Sequence, residues 1–314
     1  MKIETAASGK AFLSGEYMAL DGGRAIILST PQSAKVLISE TNETNNILVS
    51  SMSDHGYPFR IDEKLKIVWL EENPKQLGSI LSEGISQFNK GFSGKSIAID
   101  TSDFFYGERK IGIGSSAAVS AALTKALNKL LDLRLTSRAM INYSRQIHNR
   151  SQDSLGSGFD VIASFLKERA LSCQLYGHES YKHERIQLPE EIKIFAVVNN
   201  ACSQTSQMIN RYEAAKKKYK DYFSNHAPKM KSELDRLHDS ILRNDSSSMM
   251  NSLTSYNELL VEMDKKFSIG VFDHHHDLIS LAKDHGIFYK PSGSGGGDLG
   301  LLISPDKIRL DKIC

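Results

Sequence analysis

Hydrophobic and polar positions along the first hundred residues come in short bursts broken by turn residues. Ala11–Leu13, Ala25–Leu28 and Val36–Ile38 each read as a strand. Leu77, Ile80, Leu81, Ile85 and Phe88 recur at helical spacing and predict a helix over 77–88, followed by a strand at 96–100. From Ala117 to Leu131 the apolar positions Val119, Ala122, Leu123, Ala126, Leu127, Leu130 and Leu131 keep the helical period, with Ser115 or Ser116 placed to cap it. Helices are expected at 138–148 and from about Asp160, then strands at 170–176 and 183–188.

LPEE at 188–191 precedes a fresh apolar strand, KIFAVV, and sets the expected domain boundary: one domain over 1–190 and a second over 191–314. The second domain reads as that strand, a polar helix over 205–222, two or three further helices, and a closing strand–loop–strand. Strands and helices mixed in this order predict an α+β fold rather than regular βαβ winding.

Composition narrows the class. The 314 residues are 40% hydrophobic and 24% charged, with a net charge of +2. Without a basic–aromatic stripe, that charge gives no reason to expect nucleic acid. MKIETAASGK holds no apolar signal segment, and no apolar run is long enough to span a bilayer, so no membrane role is expected. Cys173, Cys202 and Cys314 are scattered and odd in number, which fits a reduced, cytoplasmic protein.

Residues 110–123, KIGIGSSAAVSAAL, admit two chemistries. Gly112, Gly114 and Ala117 spell G-x-G-x-x-A, a dinucleotide-binding form. That form needs an apolar strand before it and an acidic residue ending the next strand. Here TSDFFYGERK precedes it, and Asp132 ends a helix. The other chemistry is a nucleotide-phosphate loop: small residues admit the phosphates, the helix start offers free N–H groups, and Ser115 and Ser116 carry hydroxyls suited to phosphate or Mg²⁺. Arg109 and Lys110 add positive charge. A plain turn with a helix cap accounts for the segment equally well. Gly94-Lys95-Ser96 looks like the end of a P-loop, but Asn89 stands at the first glycine position and a strand follows.

Three more segments bear on the choice. SGKAFLSGEY (8–17) places Lys10 on a strand and Glu16 and Tyr17 at its end. LGSGFDVIAS (155–164) sets Asp160 after Ser157 and Gly158 at a helix start, where a carboxylate also simply complements the dipole. YKPSGSGGGDLGLLIS (289–304) packs Gly293, Ser294, Gly295, Gly296, Gly297 and Asp298 between two apolar strands.

Taken in order, SGKxxLxGEY, GIGSSAA, GSGFD and SGSGGGD resemble the motif set of the GHMP kinase superfamily, and within it the phosphomevalonate kinases. The resemblance spans nearly the whole chain. It implies a two-domain GHMP kinase fold, with an N-terminal α/β domain and a ferredoxin-like C-terminal domain. It implies ATP and Mg²⁺ as cofactors, Lys10 and Asp160 as the catalytic pair, and 5-phosphomevalonate as the small-molecule acceptor; the sequence leaves monomer and homodimer both open. Lys110, Gly112, Gly114, Ser115, Ser116 and Ala117 are implied to bind ATP, with Ser115 and Ser116 holding the metal. Lys10, Glu16, Tyr17, Ser157, Gly158 and the stretch Gly293 to Asp298 are implied to bind substrate.

GEY replaces the GEH of mevalonate kinases, and GGGD replaces their GGGG. Their Mg²⁺-binding glutamate, four residues before the histidine of an I-H-G stretch, corresponds to Ser144 before His148. Two departures from the motifs are Ser8 in place of proline and Ser294 in place of alanine. Mevalonate kinase or another alcohol-phosphorylating member is the alternative, and a non-catalytic nucleotide-binding regulator is a further one. Arg109, Lys110 and the 203–206 segment are candidate ligands for an acceptor phosphate. Arg150, Arg211 and the KKKYK run at 216–220 read as solvated surface, and His274–His276 as a polar helix start.

Overall fold

The computed structural model describes residues 1–88, 90–152, 156–176, 180–199, 205–297 and 299–305. Contacts divide the chain into two compact units, Met1–Lys10 with Ser29–Lys167 and Ala11–Leu28 with Glu168–Cys314. This division differs from a single cut at 190/191. Two strands are longer than the apolar runs that announce them: β1 covers Lys2–Ser14 and β2 covers Arg24–Glu40. The Arg24–Leu28 end of β2 pairs with residues 170–174, which places 11–28 and 168–190 in the second unit.

The first unit adds β3 (Asn46–Ser50), β4 (Tyr57–Ile61), β5 (Ile67–Trp69), α1 (Lys75–Phe88) and β6 (Lys95–Asp100). Lys35–Glu40 of β2 runs antiparallel to β6, β6 lies parallel to β3, and β3, β4 and β5 form an antiparallel meander. Ala34, Val36 and Ile38 are fully buried at alternate positions, as a half-buried strand requires. The intervening Ser29–Ser33 segment lies between two runs read as separate short strands, Ala25–Leu28 and Val36–Ile38. In the structure it continues the strand with Pro31 exposed, where its missing N–H does no harm.

A short hairpin, β7 (Phe105–Tyr106) and β8 (Arg109–Lys110), leads into α2 (Ser115–Leu130). Ala117, Ala118, Ala121, Ala122, Leu123, Ala126 and Leu127 of α2 are all fully buried, so the helix is a central element and not a surface one. Its small side chains let α1, α3 (Ser137–Ser151) and α4 (Phe159–Leu166) pack closely around it. Each fully buried leucine there contributes roughly 2 kcal/mol.

In the second unit, β2 pairs with β9 (Ala170–Tyr176), and β9 with β10 (Ser180–Arg185), which starts three residues before the sequence suggests. Then come β11 (Lys193–Val198), α5 (Thr205–Lys218), α6 (Lys220–Leu242), α7 (Ser246–Phe267), α8 (His276–Asp284), β12 (Phe288–Pro291) and β13 (Leu299–Ser304). The last sheet has the order β11-β13-β12, antiparallel throughout. Tyr289 and Leu302 of that sheet pack with Ala282 and Ile287; a separate apolar core joins Tyr212, Phe223, Met230, Tyr256, Leu260 and Val271 to Tyr17 and Met18.

The polar helix stops at Lys218 rather than Tyr222, so the KKKYK run straddles the junction of α5 and α6. Residues 217–220 are exposed as expected, while Lys216 is half-buried, its ammonium paired with Asp21 at 2.6 Å and Glu213 at 2.7 Å. No described helix is long and apolar enough to cross a membrane.

Candidate active site

In the first unit, the site is built on the N-terminus of α2. The cap position is Gly114, in the left-handed conformation at φ 81°, and neither serine caps the helix. Ser115 and Ser116 fall inside the first turn instead. The first bond of the ladder runs from Ala118 N–H to Gly114 O at 3.2 Å, which leaves the N–H groups of Ser115, Ser116 and Ala117 ahead of it. Such a helix start attracts anions through those groups and the helix dipole. Ala117 is buried, Ser115 nearly so, and Lys110 is exposed at the end of β8.

Lys10 lies across this turn. Its backbone N–H donates to Ile113 O at 2.8 Å, and a Cβ on Gly114 would stand 2.6 Å from Lys10 Cε. Gly114 thus serves two needs at once, a left-handed backbone and room for the lysine stem.

Asp160 sits in the first turn of α4, whose cap residue is Gly158. Its Oδ2 is 3.8 Å from Nε2 of His148 on α3, and the same nitrogen is 3.2 Å from Ser116 Oγ and 3.0 Å from the Gln152 amide. The histidine therefore meets the phosphate-loop serine at hydrogen-bond distance, with the aspartate carboxylate near the same nitrogen but beyond that distance. His148 is 7% exposed, and its Nδ1 has no partner among the described residues.

Arg145, one turn earlier on α3, is 8% exposed and donates to Ser157 O at 3.0 Å. Its stem covers Gly158, so it holds the segment that presents Asp160. His148 and Arg145 were missed as site residues by sequence reasoning. The available signal was their spacing: both are polar at i, i+3 on an amphipathic helix, on the face that carries Ile141 and Ser144 inward.

The donors around α2 suit a nucleotide carrying Mg²⁺. Serine hydroxyls and a carboxylate are hard oxygen donors, and Ser116 Oγ and Asp160 Oδ2 lie against one imidazole nitrogen. Ser144 is buried and donates back to Met140 O. Among the described residues no group of three or more His, Cys, Asp and Glu could hold a metal by itself.

The second unit carries the other motif residues. Glu16 is buried and ion-paired with Lys290, which is fully buried, and Glu16 O accepts from Tyr256 OH. Tyr17 donates from its hydroxyl to Ser294 O at 2.6 Å. Burial, then the charges of Asp264 and Glu16, raise the Tyr17 pKa, so it stays a donor.

Gly293, Gly295, Gly296 and Gly297 all have positive φ, and Gly295 packs so closely on Val271 that a Cβ would collide with its carbonyl. Asp298, Ser203 and Gln204 lie outside the described residues. Thr205 accepts from the Ser294 hydroxyl at 3.3 Å. Arg211 donates to Ile269 O, while Arg150 is exposed. His275 is fully buried, against its reading as part of a polar helix start: it occupies the cap position of α8 and bonds inward.

Residues 83–168 match the family described as GHMP kinases N terminal domain. A curated phosphomevalonate kinase from Streptomyces sp. (strain CL190) is 21% identical over 95% of this chain and 88% of its own length. A Streptococcus pneumoniae phosphomevalonate kinase, solved in complex with phosphomevalonate and AMPPNP, has a TM-score of 0.77 at 17% identity. The match covers 100% of this chain and 94% of that one. An L. major mevalonate kinase in complex with R-mevalonate has a TM-score of 0.74 at 15% identity, covering 99% and 90%. Residues 83–168 thus carry a match to the N-terminal domain of GHMP kinases, and the chain as a whole shares the fold of these kinases and resembles the phosphomevalonate kinases among them.

Proposed function

We propose that this protein transfers the γ-phosphoryl group of ATP to 5-phosphomevalonate, forming 5-diphosphomevalonate and ADP. A terminal oxygen of the acceptor phosphate attacks the γ-phosphorus while the bond to the β–γ bridging oxygen breaks. The observation that carries the reading is the gathering of Lys10, Gly114, Ser116 and Asp160 around the start of α2.

The N–H groups of the first turn, with Gly112, Gly114 and Lys110, bind the nucleotide phosphates. Ser115 and Ser116 would hold Mg²⁺, which when bound neutralises charge on the β- and γ-phosphates. Lys10 supplies a compact cation between the transferred group and the acceptor. Ser157 and Gly158 with Glu16, Tyr17 and the Gly293–Gly297 loop serve substrate binding, Glu16 and Tyr17 through the loop and its buried neighbours.

A phosphate monoester is already largely ionised at neutral pH, since its second pKa is near about 6. The acceptor then needs no general base, and Asp160 orients Lys10 and restrains the charge of the site. Ser144 supports this acceptor, because no carboxylate stands where mevalonate kinases place one. Mevalonate as acceptor is the second reading, favoured by the likeness to the L. major enzyme. There Asp160 would serve as general base.

A coupled ADP-release assay with Mg-ATP, comparing 5-phosphomevalonate with mevalonate, tests the choice. Turnover of the phosphate alone supports the proposal. Turnover of mevalonate alone replaces the acceptor and keeps the nucleotide site, and turnover of neither removes both readings.

A further inference from the structure

The glycine-rich loop of the second unit is anchored by a relay of three residues. Gly297 N–H donates to Nε2 of His275 at 3.1 Å. An imidazole nitrogen that accepts carries no proton, so in the neutral ring the hydrogen is on Nδ1. Nδ1 stands 2.7 Å from the Tyr289 hydroxyl, which therefore accepts from it. The Tyr289 ring in turn lies where a side chain at position 300 would be: a Cβ on Gly300 would fall 1.9 Å from Tyr289 Oη. Strand β13 thus carries a glycine so that β12 can seat a tyrosine, the tyrosine fixes the tautomer of a buried histidine, and the histidine holds a loop amide.

The neighbouring amide is fixed as well. Gly296 N–H donates to Val271 O at 3.0 Å, and the turn containing Val271 is itself shaped by Asp264, whose carboxylate accepts from the amides of Gly270, Val271 and Phe272. The N–H groups of Gly296 and Gly297 are both turned inward. The Gly295 N–H closes the turn over 293–294, and those of Gly293 and Ser294 have no partner among the described residues.

We propose that His275 is a positioning residue for the reaction: by holding Gly297 N–H it fixes which amides of the 293–297 loop face inward and which remain for an anionic group of the substrate. This rests on the kinase reading above. The electrostatic surroundings agree with a neutral acceptor. Burial first, then the charges of Lys290, His274 and His276, push the His275 pKa down to about 4, with Asp273 acting in the opposite sense.

Three readouts on wild type, His275→Phe and His275→Gln test it. In the imidazole ¹⁵N spectrum of the wild type, His275 is expected as a neutral Nδ1–H tautomer from pH 8 down to about 5.5. Amide exchange at Gly297 should quicken by roughly tenfold in His275→Phe, the loss of one hydrogen bond. ADP release with Mg-ATP and 5-phosphomevalonate should show a rise in KM of about tenfold for that variant, with kcat changed less and Tm nearly kept. His275→Gln, whose amide oxygen can accept from Gly297, should recover most of both effects.

An Nε2–H tautomer, ordinary titration near 6.5, or unchanged exchange in His275→Phe overturns the proposal. So does an activity loss that follows Tm and is not recovered by glutamine. A wild type inactive on every acceptor overturns the kinase reading and the catalytic role with it, while the spectrum and the exchange still decide whether His275 organises the loop.

Discussion

The Ser116 hydroxyl and the His148 imidazole meet between α2 and α3, Oγ to Nε2, at 3.2 Å. Asp160 faces the same nitrogen at 3.8 Å from a third helix. A single ring thereby ties down the phosphate-loop serine and stands beside the candidate catalytic carboxylate without bonding it. Replacing His148 with leucine keeps most of the volume and removes the tie. The expected result is a fall in kcat of about 10- to 100-fold, as for loss of one or two oriented hydrogen bonds, with thermal stability nearly kept. A double-mutant cycle with Asp160→Asn should show clear non-additivity. Additive losses would mean that the two side chains act independently.

Gly114→Ala probes the turn from the other side. At φ 81° an alanine is strained, by about 1–2 kcal/mol, and its Cβ would press on the Lys10 stem. Lys10 must move, so activity should drop by far more than stability does. Urea denaturation and ADP release on the same preparation separate the two effects. A variant that loses stability but keeps full turnover would show that the position of Lys10 over Gly114 is unimportant.

The acceptor can be read from Asp160→Asn. With an alcohol acceptor the loss should be large, at least about 100-fold, because a general base is removed. With an acceptor that is already ionised it should be markedly smaller. Single-turnover rates on both substrates decide this, and equal losses would contradict the assigned role.

The helices and most strands of this fold are legible in the sequence because burial there follows a simple period. The α1 helix begins two residues before its apolar stripe, and β9 falls where its apolar run does. What is not legible depends on partners far away in the chain. Nothing local tells that the Arg24–Leu28 end of β2 will pair with β9, and so the units divide differently from the composition break at LPEE. In the candidate site, Lys10, Gly114, Ser116 and Asp160 are found by motif order. His148 and Arg145 are not, since a histidine and an arginine on a polar helix look solvated until α2 and α4 close over them. His275 and Lys290 fail for the same reason: charge predicts exposure, and only the fold reveals buried partners for both.

The Lys290–Glu16 pair gives a stability test. Both side chains are shielded from water, and Glu16 Oε2 has no partner among the described residues. Lys290→Met leaves a buried carboxylate uncompensated and should destabilise by about 3–5 kcal/mol. Adding Glu16→Gln should recover a good part of that, because the charge is gone. Chemical denaturation of the single and double variants measures it. A single variant within experimental error of wild type would show that water reaches the pair.

The last prediction concerns acid. His275 has its pKa lowered to about 4 in the folded protein, chiefly by burial, against about 6.5 in an unfolded chain. Between those values the unfolded state binds the extra proton and the folded state does not. Stability must therefore rise with pH from about 4 to 6.5 and gain nothing more from this group above that. The contribution lost on acidification is on the order of 3 kcal/mol at most. Lowering pH also threatens the loop directly, since a proton on Nε2 turns the acceptor of Gly297 N–H into a donor. Denaturation midpoints measured at intervals from pH 7.5 to 4 should thus fall more steeply for the wild type than for His275→Gln, which has no titrating group there. Parallel curves for the two proteins would show that His275 is protonated in the folded state as readily as in the unfolded one.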